Sequence, residues 1–579
     1  METLIDVFEA ETKDAERVQR ETLERILKEN GEAEYLKKFG LDGKWDEETY
    51  RKCVPLASYQ DFKPYIKQIA DGDASPLLAA KPFTALSWSS GTSGGKPKFV
   101  PFNLALASKV IHRTTCLAYA MREFSVKRGM FLGFMFISPR RKSEGGLDIG
   151  PISSHLFYES SSEKGNETAL LEPCYPKEIA TARDYQQSLY CYFLCGLLHR
   201  DQIRYFDAYF CYLVVGAFRV FESIWEELCA DIREGVLSNE RVSDPVVRES
   251  VSKLLKPNPY LADSIYTKCK VLQSKNWYGV IPELWPQAKF VATIVTGSME
   301  AYAGKLRHYS GDKLGIVSGV YGASEGIVAI NIRPPTSVES NVYVYAACPS
   351  SVYCEFIPLK RSYLTETKAE GLYEESDPVR LTEVEVGEIY EVVITNFAGL
   401  YRYRLGDIVK VTGFYNSSPE LQFLHRKNVL LNICIDKTTE RDLQLVMEKA
   451  SKLFLAEEKV EIVDHTSYAD SSTEPGHYVI FWELSRVPSK EILQKCCSYL
   501  DQTLHDAGYI TARKSRGLGA LELQIVAKGT FGKVVEHYAS FGSTIVQFKT
   551  PRCIAGSNTR VLQILDDNVS ARFFSTAYA

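Results

Sequence analysis

Between residues 3 and 39 the apolar positions recur at helical spacing. Val18, Leu23, Ile26 and Leu27 fall on one side, Glu21, Glu24 and Lys28 on the other. This predicts helices with one buried stripe, a packing element without chemistry of its own. A second amphipathic stretch, 103–124, predicts a helix in which Arg113 and Leu117 lie one turn apart. From 185 to 228 the chain is strongly apolar and aromatic, broken at Arg200, Asp201 and Arg204, and predicts two packed core helices. Residues 238–259, polar with prolines, predict a surface connection. Short apolar runs at 83–88, 289–296, 314–320 and 388–395 predict strands. Beyond Phe423 the pattern changes. Strands at 459–464, 476–484 and 520–527 and helices at 490–506 and 531–541 predict a compact α+β unit, and Thr438 or Thr439 is expected to cap its first helix.

Composition narrows the class. A chain of 579 residues exceeds one core, so two to four lobes are expected. Its 45% hydrophobic and 24% charged residues are those of a soluble globular protein, and a net charge of -5 gives no nucleic-acid surface. An anionic ligand therefore needs a local positive field. The 14 cysteines lack paired CxxC spacing, which argues against zinc, and free thiols in this number point to a reducing compartment. Cys191 and Cys195, at i and i+4 on an apolar helix, are expected to pack in the core. No signal peptide is apparent, and the most apolar segment, 208–218, is too short to span a bilayer.

Three stretches carry chemistry. Ser89, Ser90, Gly91, Thr92, Ser93, Gly94 and Gly95 follow a short strand and precede Lys96 and Lys98. Small residues let successive backbone N–H groups point at one anion, with hydroxyls and lysines adding donors and charge. The spacing excludes a Walker A loop, because Gly91 to Gly95 is one residue short and Pro97 follows the lysine. The stretch also fits a G-x-S-x-G elbow with Ser93 as nucleophile, which keeps a serine hydrolase as the alternative, although Pro97 opposes the helix that such an elbow needs. The second stretch, Tyr321, Gly322, Ala323, Ser324 and Glu325, sets a carboxylate after a small hydroxylated turn at a strand end. That placement suits a divalent cation beside phosphates. In the third, 395–407, Arg402 and Arg404 are expected on one strand face and Tyr401 and Tyr403 on the other. Gly406 and Asp407 are expected to break the strand, and Asp407 either serves a turn or accepts both hydrogens of a ribose diol.

Together with the tail 548–553, these stretches resemble the plant Gretchen Hagen 3 family of acyl acid amido synthetases, within the adenylate-forming enzymes, over essentially the whole chain and in order. The resemblance implies an α/β fold class. Its large N-terminal domain, 1–425, has a β-barrel and α/β subdomains and holds the ATP and acyl-acid sites; a hinge spans 426–437 and a smaller mobile α+β domain 438–579. It implies ATP and Mg²⁺, a small carboxylic acid and an amino acid. Residues 89–95 would cradle phosphates, Glu325 hold Mg²⁺, Ser324 donate to the α-phosphate, Tyr321 pack near adenine and Asp407 take the ribose. Gly322, Ala323, Tyr403 and Arg426 complete the nucleotide set, while Lys437 and Lys549 reach the phosphates. Arg113, Leu117, Thr296, Gly297 and Ser298 would line the acyl pocket. Benzoate-conjugating members place a carboxylate-gripping arginine where this chain has Leu117, so Arg113 replaces it or the acid differs. The branch expected handles benzoates, chorismate-type acids and some auxins rather than jasmonate. An acyl-CoA ligase shares the first half-reaction and a silent nucleotide binder shares the site. The expected enzyme is cytosolic and monomeric, without nucleic-acid or membrane partners.

Overall fold

The computed structural model describes residues 2–578 except 42, 90–97, 103–108, 138–140, 161–169, 183, 312, 335–341, 362–372, 428–429, 432, 434–435, 437, 541–547 and 555–557. The N-terminal periodicity forms helices Glu2–Lys13 and Ala15–Asn30. The second buries Leu23, Ile26 and Leu27 together with Gln19. That buried amide is satisfied: it donates to the carbonyls of Pro349 and Val352 and accepts from the Cys354 N–H.

A five-stranded parallel sheet forms the core of the N-terminal part, in the order Glu172–Pro173, Met130–Gly133, Ile203–Phe210, Phe290–Ile294 and Gly315–Val317. Its central strand corrects the two-helix expectation for 185–228. Helix Tyr185–Leu198 is followed by strand Ile203–Phe210 and then helix Cys211–Glu234. A strand covered on both faces is a continuous apolar run, which periodicity cannot distinguish from a buried helix. The polar stretch 238–259 also holds a helix, Pro245–Ser252, started by Pro245 and capped by Asp244. Cys191 and Cys195 are buried in the core, as expected.

Past Val317 the chain enters an antiparallel sheet that runs Val320–Ala323, Gly326–Ile330, Tyr345–Ala347, Ser418–Arg426, Tyr403–Tyr415, Ile389–Thr395, Tyr353–Arg361 and Tyr373–Glu375, with Val379–Arg380 also on Tyr353–Arg361. The single strand expected at 314–320 is thus two, one ending the parallel sheet and one opening the antiparallel one.

Arg402 and Arg404 do not share a strand face. Arg402 precedes the strand with a left-handed backbone, φ 45°, and both arginines serve the scaffold. Arg402 forks onto buried Glu355 at 2.8 and 2.9 Å and donates to the carbonyls of Arg51 and Val54. Arg404 pairs with Glu391 and Glu375. Replacing Arg402 with Ala is expected to cost about 3–5 kcal/mol, because Glu355 keeps a buried charge with only Arg51, itself mostly buried, to answer it. Urea unfolding followed by tryptophan fluorescence would show the lowered midpoint.

The C-terminal part is a four-stranded sheet, Ile462–Asp470, His477–Leu484, Glu522–Val526 and Val569–Phe574. Along the second strand Tyr478, Ile480 and Trp482 enter one apolar cluster while Val479 and Phe481 enter another, so helices cover both faces. Thr439 caps helix Glu440–Ala450 in a reciprocal box with Asp442. Helix Thr559–Asp566 and strand Val569–Phe574 add to the elements that the sequence pattern predicts.

Candidate active site

The site is assembled where the antiparallel sheet meets the parallel one. Strand Tyr403–Tyr415 continues through Gly406 and Asp407 rather than breaking. Val393 faces Arg404 while Glu391 faces Ile408, so the strand carries two extra residues, with Gly406 at φ 76°. This bulge sets Asp407 opposite Arg426 on the neighbouring strand. The buried Asp407 carboxylate accepts from Arg426 Nε at 3.1 Å on one oxygen and from Tyr321 OH at 3.1 Å on the other. Asp407 holds the guanidinium pKa of Arg426 above its ordinary value, against the opposing effect of burial.

Tyr321, Gly322 and Ala323 lie on the first strand of a hairpin whose turn is Ser324 and Glu325. A side chain at Gly322 would lie 3.0 Å from the Gly326 carbonyl, so glycine lets the hairpin close. The Tyr321 ring packs against Tyr345 and Phe423, with centroids 6.0 and 5.9 Å away. Phe423 in turn lies 3.3 Å from where a Cβ of Gly297 would be, and Gly297 has φ 64°. Thr296, Gly297 and Ser298 therefore pass close beneath the aromatic wall, where only glycine fits without strain.

Glu325 is buried, and its carboxylate accepts from Tyr403 OH at 3.3 Å. Asn396 joins the second and third sequence motifs. Its amide donates to the Glu325 carbonyl at 2.7 Å and its oxygen accepts from the N–H groups of Ala398 and Leu400. Within 395–407 the sequence marks Asn396 by its residue type alone.

Lys549 reaches this place from the C-terminal part. Its ammonium lies 4.6 Å above the ring of Phe210, the last residue of the central parallel strand. Burial and then the Arg426 charge push its pKa down to about 8, opposed by Asp407 and Glu440. Glu440, at the start of the helix capped by Thr439, is raised by burial against the pull of Arg552, Arg426 and Lys549. Tyr321, Glu325, Tyr403, Asp407, Arg426 and Lys549 thus form one constellation. Phe210, Phe423, Tyr345 and Glu440 join it without a sequence signal beyond their residue type.

The expected acyl-pocket residues divide. Thr296, Gly297 and Ser298 border the site. Arg113 does not present an unanswered charge: its Nη2 donates to both oxygens of buried Asp207, at 2.5 and 2.6 Å, and the guanidinium lies 5.0 Å over Tyr209. Leu117 packs on an apolar cluster that includes Ile5, Phe8 and Cys116. Ser90, Gly91, Thr92, Ser93, Gly94 and Gly95, and Lys437, lie outside the described residues. Strand Ala85–Ser89 leads into that segment and strand Lys98–Phe102 leaves it, paired antiparallel from Ser89 opposite Lys98. The described strands on either side thus pair with each other, and a strand begins at Lys98, five residues after Ser93. A nucleophile elbow requires strand, turn and helix, so the hydrolase alternative loses its structural basis.

Residues 4–315 match the GH3 family N-terminal domain, 345–426 its central domain and 441–558 its C-terminal domain. The chain belongs to the GH3 family. It is 50% identical to a jasmonoyl–L-amino acid synthetase of Oryza sativa subsp. japonica, over 100% of this chain and 99% of that protein. An indole-3-acetic acid-amido synthetase of Arabidopsis thaliana is 41% identical, with 99% and 98% covered. The solved GH3.15 acyl acid amido synthetase superposes with a TM-score of 0.86 at 35% identity, covering 99% of this chain and 97% of that one. The expected family and α/β fold class are borne out. The expected branch is not the one favoured by these identities, which are higher for the jasmonoyl synthetase than for the indole-3-acetic acid enzyme.

Proposed function

We infer that this GH3 protein is an ATP-dependent acyl acid amido synthetase. A carboxylate oxygen of the acyl acid attacks the α-phosphorus of ATP and pyrophosphate leaves. The amine of an amino acid then attacks the acyl carbon, losing a proton, and AMP leaves. The observation that carries this reading is two cations at one site: Lys549, its ammonium 4.6 Å over the Phe210 ring, and Arg426, on the buried Asp407 carboxylate at 3.1 Å. Cations so placed favour an anion between them, and a polyphosphate answers that need.

Each side chain has a role its surroundings allow. Asp407 uses one hydrogen bond on each oxygen and retains lone pairs for two ribose hydroxyls. The Tyr321 and Phe423 rings offer a wall for adenine. The backbone N–H groups of 89–95, with Ser324, would take phosphate oxygens, and Lys437 would reach them from the hinge. The lobe beyond residue 437 is proposed to move between the half-reactions, so that Lys549 serves adenylation and then withdraws. Among the described residues no three metal-binding side chains cluster, so Mg²⁺ would be held by Glu325 together with phosphate oxygens and water, as Mg²⁺ ordinarily is. When bound, the ion neutralises polyphosphate charge. Glu325→Gln is expected to slow adenylation on the order of 100-fold and to raise the Mg²⁺ concentration needed, read from a Mg²⁺ titration of pyrophosphate release.

Because the jasmonoyl synthetase is the more similar relative, we propose a jasmonate-type acid first, then indole-3-acetate and benzoates. With Arg113 answered by Asp207, the acid carboxylate would be oriented by the nucleotide-site cations rather than by that arginine. Among the described residues no helix is long and apolar enough to cross a membrane, and we propose a cytosolic monomer. The test is pyrophosphate release across acids, with each amino acid, with CoA and without acceptor, and mass spectrometry of products. An amide appearing with one acid and one amino acid supports the reading. A thioester with CoA and no amide would replace it with an acyl-CoA ligase.

A further inference from the structure

Lys549 immediately precedes a segment that is seated on the C-terminal sheet and gripped by one carboxylate. Strand Ile462–Asp470 is the outermost of the C-terminal sheet, and residues 550–554 lie along it. The Ser467 N–H and hydroxyl both donate to the Arg552 carbonyl, at 3.1 and 2.6 Å, and the Ile554 N–H donates to the Ser467 carbonyl at 2.7 Å. At the Lys549 end of this pairing stands Asp464. It accepts from Thr550 Oγ1 at 2.6 Å and from Arg552 Nη1 at 2.5 Å, which brackets the loop on either side of Pro551. The His465 N–H also donates to it, at 2.8 Å, and a further donor comes from the N-terminal part: Tyr302 OH, on helix Glu300–Ser310, donates at 3.0 Å. Arg552 closes the circuit with Nη2 on the Ser298 carbonyl at 3.3 Å, in the 296–298 stretch that borders the site. The same helix is tied to the C-terminal part by Lys305 on Glu461 at 2.9 Å and by Arg441 on Glu300.

We propose that Asp464 is a positioning residue for adenylation, gathering Thr550, Arg552 and Tyr302 so that the lysine between the strand and the loop lies over Phe210 at the nucleotide site. The inference rests on the adenylation reading above. Asp464 touches no reacting atom in this account. It acts through Lys549, as three charge-strengthened hydrogen bonds on one carboxylate fix both the loop and the seam between the two parts. Since the seam contact holds the lysine in one place, it matters to the half-reaction that uses the lysine there and not to the other.

The experiment separates the half-reactions in the full chain. Acid-dependent pyrophosphate release reports adenylation, and amide formation from chemically made acyl-adenylate and amino acid reports conjugation. Asp464→Asn is expected to lower kcat for adenylation on the order of 100-fold, the cost of a displacement of about 1 Å, with KM for the acid unchanged and conjugation within about threefold. Tyr302→Phe leaves Asp464 and Arg552 paired and removes the Tyr302 hydroxyl's hydrogen bond to Asp464, one of those that cross the seam. It is expected to lower adenylation about tenfold with the same sparing of conjugation. If Asp464→Asn fails to fold, Tyr302→Phe decides the matter alone. Equal losses in both half-reactions, or no loss in a folded Tyr302→Phe variant, would overturn the proposal. A wild-type chain that releases no pyrophosphate with any acid would overturn the adenylation reading instead, and this inference with it.

Discussion

Replacing Lys549 with Ala is expected to slow acid-dependent pyrophosphate release on the order of 100- to 1000-fold, the loss typical of removing one preorganised charge from a developing transition state. The pH profile gives the sharper test. Lys549 has its pKa lowered to about 8 by burial and by Arg426. Only the ammonium attracts phosphate, so kcat/KM for ATP in adenylation should fall as pH rises through about 8, a limb belonging to the free enzyme. In Lys549→Arg the guanidinium stays charged throughout that range, so the limb should vanish even if the rate at pH 7 is lower. The same depression has a stability sign. Between the folded value near 8 and the ordinary value of 10.5 the unfolded chain binds the proton and the folded chain does not, so this group makes stability rise with pH across that window. A limb that persists in the arginine variant would assign the titration elsewhere.

Asp407→Asn should act on nucleotide affinity and on that pH limb together. Losing a charged acceptor for ribose hydroxyls costs about 1.5–3 kcal/mol, roughly a 10- to 150-fold rise in the ATP dissociation constant. The amide keeps an oxygen for Tyr321 but leaves Arg426 without its carboxylate. Asp407 is also one of the two groups that hold the Lys549 pKa up, so its neutralisation should move the basic limb below pH 8. Calorimetric titration with ATP and the pH profile of the same variant check both effects. Weakened ATP binding with an unmoved limb would separate Asp407 from Lys549 and undo the single-site reading.

The sequence made the site more legible than the frame around it. Glu325, Asp407 and Lys549 are charges in unusual company, beside glycines, hydroxyls and a proline, and such departures from ordinary patterning stand out along a chain. The frame hides for the opposite reason. Strand Ile203–Phe210 is apolar because both its faces are covered, and it merges with the helices on either side. Arg402 illustrates a different limit. It is as conspicuous as Asp407 in the same stretch, yet its partner Glu355 lies in a strand far away in sequence, and nothing local distinguishes a guanidinium for phosphate from one for a buried carboxylate. Arg113 follows the same rule, since Asp207 comes from the strand that was read as helix. Pairings of that kind depend on topology.

The seating of residues 550–554 on strand Ile462–Asp470 also bears on solubility. An outermost strand offers unpaired N–H and C=O groups to any passing chain, and such edges seed aggregation unless blocked. Here the backbone of Ser467 is taken on both its N–H and its C=O by the segment that carries Lys549. The stretch that carries Lys549 thus also serves as a guard rail, and a mutation that loosens it puts solubility at stake.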